Sequence, residues 1–415
     1  MNKLIRPITI SLSPNVEGDD IKLALKALLS LNRQWMKGAS LKLEEEIRAY
    51  FSIAHAVVFN SGRSALWAIL KSLNLNNGDE VLVQSFTCNA AVNPILWNGL
   101  MPVYCDINED TLNIDIHDLE NKITTLSKAV IVQHTFGFPA DMEKIVEICE
   151  RKGLILIEDC AHSLGATYRG KRVGTFGKVA YLSFSRDKVI SSVYGGAVIT
   201  NDEESGKKIK KLQKQIGAPK KNWTIQQLLH PVIMGGLILP TYGIFGKYLL
   251  KVFQEIKILS KAVHFREKRG LMPDYFPYAL PDELAILVLN QWRKLERFNR
   301  HRQEIVDYYY SHIDGTKFSM PVKVADISQS YLRFTLKNPR AHEIIKQAWA
   351  NNILIGDWYT NPVAPSDTKM DLVKYRPGSC PVSEKMSQVI FNLPTHIGIG
   401  EKEAKLVTDF VNSCV

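Results

Sequence analysis

Short apolar runs alternate with helix-like stretches as far as about residue 200. After each run and a turn, apolar positions recur every three or four residues, as Leu66, Ile69 and Leu70 do. This alternation predicts parallel strands joined by right-handed helical crossovers, in a sheet buried on both faces. The first half of the chain is therefore predicted to be a large doubly wound α/β domain. The predicted strands cover residues 56–60, 80–83, 101–105, 129–133 and 154–157.

The pattern changes after residue 206. From about residue 281 an amphipathic helix over 284–310 is predicted, and short strands and helices follow it. These elements are typical of a smaller C-terminal α+β domain. The predicted organisation is an N-terminal segment (1–45), the large domain (46–206), a basic and apolar segment (207–270) and the C-terminal domain (271–415).

Composition narrows the possible classes of protein. The 415 residues include 52 Lys and Arg against 42 Asp and Glu, a net charge of +10, which favours an anionic partner. The six cysteines form no CxxC pair and have no histidine at zinc-ligand spacing, so neither a disulfide scaffold nor a metal site is predicted. Residues 1–14 lack the apolar core of a secretory signal, and reduced thiols favour a cytoplasmic location.

Three segments that follow predicted strands carry candidate chemistry, because ligands of such sheets bind beyond the carboxyl ends of the strands. The first, Ser61 to Ser64, combines a glycine, a hydroxyl, a guanidinium and the start of a helix. These features suit a phosphate group. An ordinary strand-to-helix turn with a serine near the N-cap is the alternative interpretation.

The other two segments each contribute one ionisable side chain. Asp159 ends a buried apolar strand, where a carboxylate needs a cation such as a protonated cofactor nitrogen. Lys188 lies in a small polar loop, where an amine of lowered pKa could form a Schiff base. The alternatives are a helix-capping aspartate and a solvated surface lysine.

Taken together, the motifs resemble those of a known family. The runs NSGRSAL (60–66), SFTCNA (85–90), HTFGFPADM (134–142), IEDCAH (157–162) and SFSRDK (183–188) resemble the DegT/DnrJ/EryC1/StrS sugar aminotransferases. These are enzymes of fold type I that depend on pyridoxal 5'-phosphate (PLP). The resemblance is colinear over about residues 40–202 and weaker over 278–400.

The resemblance implies a role for each motif residue. Lys188 would be the Schiff-base lysine and proton carrier, and Asp159 would pair with the pyridinium nitrogen. His162 would lie against the cofactor. A homodimer is implied as well. The implied phosphate cup consists of Gly62, Arg63, Ser64 and Ser183.

Four positions depart from the family pattern. Cys88 stands where relatives stack an aromatic ring on the cofactor, so either Cys88 contacts the ring or Phe86 supplies the stack. Arg63 replaces the usual threonine and would strengthen the phosphate contact through its charge. Tyr194 replaces a glutamate, and Ala279 replaces an asparagine that often reaches the partner subunit's phosphate.

The implied reaction is amino transfer from an amino acid, with glutamate as the expected donor, to a keto group of a nucleotide-activated sugar in polysaccharide or glycan biosynthesis. Relatives that dehydrate sugars carry His at the position of Lys188, so the lysine favours transamination. A dehydratase or a catalytically idle binding protein of the same family is the alternative. No nucleic-acid partner is expected, because the lysines of residues 207–221 have no interleaved aromatic residues.

The basic and apolar segment is longer than its counterpart in most relatives. Seven lysines in 207–221 precede 25 uncharged residues, 222–246, enough to cross a bilayer at about 20 residues per span. A single crossing would separate the two domains, and Pro231 and Pro240 interrupt the run. Two interpretations remain: a hairpin over 207–260 on the anionic inner face of the membrane, or packing on the protein or its partner.

Overall fold

The computed structural model of the chain describes residues 4–414. A seven-stranded sheet lies at its centre. The strands are β1 (His55–Phe59), β2 (Glu80–Gln84), β3 (Met101–Cys105), β4 (Ser127–Gln133), β5 (Ile155–Asp159), β6 (Val179–Ser183) and β7 (Gly196–Thr200). Their spatial order is β1-β7-β6-β5-β4-β2-β3. All neighbours are parallel except β7, which is antiparallel to both β1 and β6.

Both faces of this sheet are buried. In β4, Val130 and Val132 enter one apolar cluster, whereas Ala129 and Ile131 enter a second cluster. Successive side chains of a strand point to opposite faces, so the two clusters lie on the two sides of the sheet. The predicted doubly wound, mostly parallel α/β domain is confirmed.

Helices supply the other half of these clusters. Leu43 and Ile145 join the first cluster, and Leu66 and Ile95 join the second. The helices of this part are Gly18–Leu29, Ala39–Phe51, Gly62–Ser72, Asn89–Trp97, Ile116–Asn121, Met142–Lys152, Glu203–Ile216 and Asp282–Trp292. Short 3₁₀ turns occur at Gln34–Met36, Thr135–Gly137 and Glu267–Arg269.

The C-terminal domain has its own core, in which Val306, Tyr309 and Phe334 are buried. Its helices are Leu295–His312, Ala341–Ala350, Pro381–Val389 and Glu401–Ser413, and its antiparallel strands are Arg333–Lys337 and Ile390–Pro394. Shorter pairs and triplets of strands are Ile8–Thr9 with Ile353–Leu354, Thr87–Cys88 with Val363–Ala364, and Thr167–Tyr168 with Lys171–Arg172 and Ile327–Ser328.

The single helix predicted over 284–310 is wrong. The structure has two helices there, Asp282–Trp292 and Leu295–His312. The first helix and the start of the second, through Leu295 and Phe298, pack in the large domain's cluster, whereas the second helix from Ile305 onward packs in the C-terminal core.

The lysine-rich part of the segment 207–270 belongs to the large domain, because helix Glu203–Ile216 buries Ile209 in the second cluster. The apolar part consists of helix Lys221–Ile233, π-helical turns at Met234–Ile238 and Tyr242–Gly246, and helix Lys247–Glu255. Within residues 4–414 no single helix is long and apolar enough to span a bilayer. The pieces Lys221–Ile238 and Tyr242–Glu255 meet that condition only together, across a bend of 105°.

Candidate active site

A cavity of about 220 Å³ lies at the carboxyl edge of the parallel strands. Gln133, Asp159 and Ser183 end β4, β5 and β6, and all three line the cavity. Neighbouring parallel strands end at the same edge, which brings the residues that follow them together. Seven of the nine predicted site residues line this cavity: Gly62, Arg63, Cys88, Asp159, His162, Ser183 and Lys188.

Lys188 is partly buried in the loop after β6. Its ammonium nitrogen (Nζ) lies 4.9 Å from the centre of the Trp358 ring. Burial lowers the pKa of Lys188, and the neighbouring carboxylate of Asp187 opposes this effect. A lowered pKa increases the fraction of neutral amine, which is the form that attacks a carbonyl carbon.

Asp159 is a buried carboxylate at the end of β5, with 4% of its surface exposed. One carboxylate oxygen accepts the backbone N–H of Ala161 at 2.9 Å. Burial raises the pKa of Asp159, and a hydrogen bond from the Tyr181 hydroxyl opposes this effect. The carboxylate lines the cavity without forming an ion pair among residues 4–414. It is therefore suited to a cationic group of a ligand.

His162 lies between two aromatic rings. Phe136 is 5.9 Å away and Trp358 is 5.5 Å away between ring centres, and both are nearly parallel to the imidazole. The Nδ1 atom of His162 accepts the backbone N–H of Phe136 at 3.3 Å. Burial lowers the pKa of His162 well below its ordinary value, so the ring is neutral at pH 7. It contributes an uncharged group to the cavity lining.

One end of the cavity has the features of an anion site. The first N–H groups of helix Gly62–Ser72 have no acceptor within the helix. A Cβ atom at Gly62 would lie 3.0 Å from the Cβ of Ser183, so a larger residue would not fit there. The Nε atom of Arg186 and the Nδ1 atom of His230 line this cavity, are buried, and have no hydrogen-bond partner in the described part of the chain.

Two arginines at this end of the cavity donate hydrogen bonds to backbone carbonyls of residues 260–262. Arg63 donates from Nη2 to the carbonyl of Ala262 at 3.1 Å, and Arg186 donates from Nη1 to the carbonyl of Ser260 at 2.7 Å. Arg63 also forms an ion pair of 2.8 Å with Glu267, which is fully buried. The guanidinium of Arg63 is thus oriented by protein groups before any ligand binds.

The sequence profile described as the DegT/DnrJ/EryC1/StrS aminotransferase family matches residues 16–235 and 262–412. The chain belongs to this family. The resemblance found in the motifs is confirmed over both domains. Residues 236–261, which the profile skips, are called the insertion below.

Individual relatives agree with this membership. The chain is 27% identical to a UDP-N-acetyl-3-dehydro-alpha-D-glucosamine 3-aminotransferase of Acidithiobacillus ferrooxidans, over 88% of this chain and 86% of that protein. It is 36% identical to the spore coat polysaccharide biosynthesis protein SpsC of Bacillus subtilis, over 68% of this chain and 63% of that protein. Four further curated relatives are matched over only 44% to 55% of their own length.

A solved structure of a similar protein gives the same fold. DesV of S. venezuelae superposes with a TM-score of 0.73 at 25% sequence identity, over 95% of this chain and 94% of that one. The aminotransferase family implies PLP as the cofactor.

The cavity fits PLP on three observations. The buried carboxylate of Asp159 lacks an ion-pair partner in the described chain and would meet the ring nitrogen. The close approach at Gly62, with the unpaired Arg186 nitrogen, would take the phosphate. The Lys188 amine would reach the aldehyde carbon.

Two of the predicted site residues, Ser64 and Phe86, do not line the cavity. The hydroxyl of Ser64 donates to Asn60 Oδ1 at 2.6 Å, so it is not available to a phosphate. Phe86 is fully buried and packs edge-on against Tyr359 at 5.3 Å between ring centres. Cys88, not Phe86, lines the cavity where relatives place an aromatic ring.

Several cavity residues were missed by sequence reasoning. Arg186 lies within the quoted run SFSRDK, and its charge beside Lys188 was an available signal. Trp358 comes from the C-terminal domain, in a stretch with no motif, and only the fold brings it to the site. Leu250 and Gln254 belong to the insertion, for which the family pattern has no template.

Proposed function

We propose that this chain is a PLP-dependent aminotransferase that transfers an amino group from an amino acid to a keto group of a nucleotide-activated sugar. The observation that carries the proposal is the convergence of Lys188 and Asp159 on one cavity of a family member. The lysine has a lowered pKa and the carboxylate lacks an ion-pair partner within residues 4–414.

Each residue of the site has a separate role in the proposed reaction. PLP, when bound, supplies a ring that accepts electrons from the amino-bearing carbon. Asp159 holds a proton on the ring nitrogen through its negative charge. Lys188 would hold the cofactor through its amine and, when freed from it, would take up and return the migrating proton at Nζ. His162 and Trp358 line the same cavity and would enclose the cofactor.

The sugar substrate and the pathway are proposed from relatives. One relative is named for a UDP-linked keto sugar and another for spore coat polysaccharide biosynthesis. The retained Lys188 supports transamination over dehydration. Glutamate is the proposed donor.

An absorbance spectrum tests this function. The purified chain is mixed with PLP, as wild type and as Lys188→Ala, before and after addition of glutamate. A visible band that requires Lys188 and is bleached by glutamate is expected. A chain that binds no PLP would contradict the proposed function. A visible band that no amino donor changes would contradict it as well, and would indicate that the chain uses the family fold for another role.

We also propose that the insertion binds an anionic membrane surface on the cytoplasmic side. Among residues 4–414, 22 large apolar side chains are exposed, and seven of them lie in the insertion. The insertion carries four lysines and a single acidic residue, Glu255. An apolar, basic surface suits the boundary of an anionic leaflet. The other face of this region packs on the protein, since Met234 and Ile238 are buried.

Flotation with vesicles tests membrane binding. The wild-type chain should float with vesicles that contain anionic lipid, less so as salt is raised. A variant in which a short linker replaces 236–261 should stay at the bottom of the gradient. Wild-type protein that never floats would contradict the proposal.

We also propose the homodimer that the family resemblance implies, with a surface that includes apolar residues near the first helix. Leu29, Leu31 and Trp35 are exposed near the first helix, away from the insertion in sequence, with Leu31 fully accessible. Light scattering should give twice the chain mass, and Leu29→Ser with Leu31→Ser should lower it. A monomeric wild type would contradict the dimer.

A further inference from the structure

One helix of the insertion forms a wall of the active-site cavity. Leu250 and Gln254, on helix Lys247–Glu255, both line the cavity that holds Lys188 and Asp159. Residues four apart lie on the same face of a helix, so the two side chains point the same way. The family profile skips residues 236–261, so this wall is an addition to the family's site.

The opposite face of the same helix is exposed. Tyr248 is 62% exposed, Val252 48% and the following Ile256 59%. The helix therefore separates the cavity from the surroundings, with different side chains on its two sides. Variants on the two faces can be compared within a single helix.

The wall is anchored at the base of the insertion. Tyr194 donates its hydroxyl to the carbonyl of Lys261 at 3.0 Å, beside the carbonyls that hold Arg63 and Arg186. Leu259 and Met234 are buried in a small cluster that also includes Leu250. These contacts place the helix beside the cavity.

The inner face has chemistry suited to a sugar. The side-chain amide of Gln254 is half-buried and makes no hydrogen bond with residues 4–414. An amide both donates and accepts, as a sugar hydroxyl does. Leu12, Met234 and Val263 line the same cavity and add apolar surface, which suits the carbon-bound hydrogens of a sugar ring.

We propose that Leu250 and Gln254 are specificity-determining residues that form a sugar-facing wall of the site. Leu250 limits the size of what enters, and Gln254 hydrogen-bonds a hydroxyl group of the sugar. This inference rests on the proposed sugar aminotransferase function, and it adds to that function a substrate contact supplied by the insertion.

The first test measures how readily thiol reagents of different size enter the cavity. The chain is used without added cofactor. Cys88 lines the cavity and is partly exposed, Cys414 is also partly exposed, and the other four cysteines are buried. In a Cys414→Ser background, Cys88 is labelled with iodoacetamide and with a much larger fluorescein maleimide. Leu250→Ala should speed labelling by the large reagent about tenfold relative to the small one.

Val252→Ala, on the exposed face, is the matched control and should change neither rate. Thermal melting confirms that both variants are folded. Equal effects of Leu250→Ala and Val252→Ala on the labelling rates would contradict the proposed wall. So would a Leu250→Ala effect that does not depend on the size of the reagent.

The second test measures sugar binding in the PLP-loaded chain. UDP-N-acetylglucosamine, which has no keto group and cannot react, should protect Cys88 from the small reagent. Gln254→Ala should raise the concentration of UDP-N-acetylglucosamine needed for protection about fivefold, which is the loss of affinity expected when one hydrogen bond is removed. Val252→Ala should leave this concentration unchanged. Absence of protection in the wild type, or equal protection in Gln254→Ala, would overturn the contact. A chain that cannot be loaded with PLP would instead refute the proposed function. The first test needs no cofactor, so it would still show whether Leu250 restricts entry into the cavity.

Discussion

The strand-edge site and the insertion line the same cavity but are built in opposite ways. At the strand edge, polar groups such as Asp159 and His162 are buried and held by backbone N–H groups and aromatic rings. In the insertion, apolar groups such as Tyr248 and Val252 are exposed. The comparison indicates that the cofactor end follows from the family fold, whereas this chain has added the outer wall. Five changes test how far the two regions are independent.

The largest effect is expected at Lys188. Lys188→Ala removes the amine that binds the cofactor and carries the proton, and amino transfer should fall by about a thousandfold. Single-turnover absorbance with glutamate measures the loss. Lys188→Arg keeps the charge without a suitable nucleophile and should be as slow. Both variants should float with anionic vesicles as the wild type does, and a loss of flotation would show that the regions are coupled.

Asp159→Asn keeps the shape of the side chain and removes its charge. The cofactor nitrogen then loses its fixed negative partner, and we expect amino transfer to slow by about a hundredfold. The exposed Asp110→Asn is the control and should match the wild type in the same single-turnover assay. Equal rates for Asp159→Asn and the wild type would contradict the proposed pairing of Asp159 with the cofactor nitrogen.

Acid should destabilise the strand-edge site and leave the insertion unaffected, since residues 236–261 contain no histidine. His162 has a lowered pKa in the folded chain, whereas an unfolded histidine titrates near 6.5. Between these values the unfolded state binds more protons, so stability falls as the pH drops below about 6.5, by up to about 2 kcal/mol at pH 5 for this residue.

Urea unfolding at pH 7, 6 and 5 measures this loss. His162→Gln should reduce the dependence on pH, and the exposed His117→Gln should leave it unchanged. The variant with a linker in place of 236–261 should keep the wild-type dependence. An unaltered dependence in His162→Gln would assign the acid sensitivity to other groups.

The exposed face of the insertion should govern vesicle binding. Val252→Ser removes an apolar side chain worth about 1.5 kcal/mol on burial, so partition into anionic vesicles should weaken about tenfold. Leu126→Ser, at an exposed leucine in another part of the chain, should have no effect on sedimentation with vesicles. An equal loss in both variants would indicate nonspecific adsorption.

The smallest effect is expected from single lysines. Lys247→Gln and Lys251→Gln should each weaken binding to anionic vesicles about fivefold, the equivalent of about 1 kcal/mol per charge. Vesicles of neutral lipid should show no difference, and Lys405→Gln, at an exposed lysine near the C-terminus, is the control. A loss on neutral vesicles as large as on anionic ones would exclude a charge effect.

The sequence predicted the sheet well because its strands are buried on both faces and therefore continuously apolar. Asp159 and Lys188 were found because they directly follow strands and lie in specific motifs. Phe86 was one of two alternatives for the contact with the cofactor ring, and it has a left-handed backbone, with φ of 60°, and a fully buried side chain. Such a local turn leaves no sign in the residue pattern.

The segment 207–270 was predicted as one unit because its charge and apolar runs stand out together. The fold separates them, since helix Glu203–Ile216 packs on the large domain through Ile209. Both interpretations of the apolar run agree with part of the structure, because Met234 is buried and Ile244 is exposed. Hydrophobicity alone does not show which face of a bent helical segment has a partner.

The two arginines at the proposed anion site, Arg63 and Arg186, also hold the base of the insertion. A displacement of residues 260–262 would change the hydrogen bonds of Arg63 and Arg186. The absorption of PLP bound in this cavity would respond to such a change in the charges around it, and would then report the position of the insertion. A titration with vesicles could then be followed by the shift of an absorption maximum, without any added label.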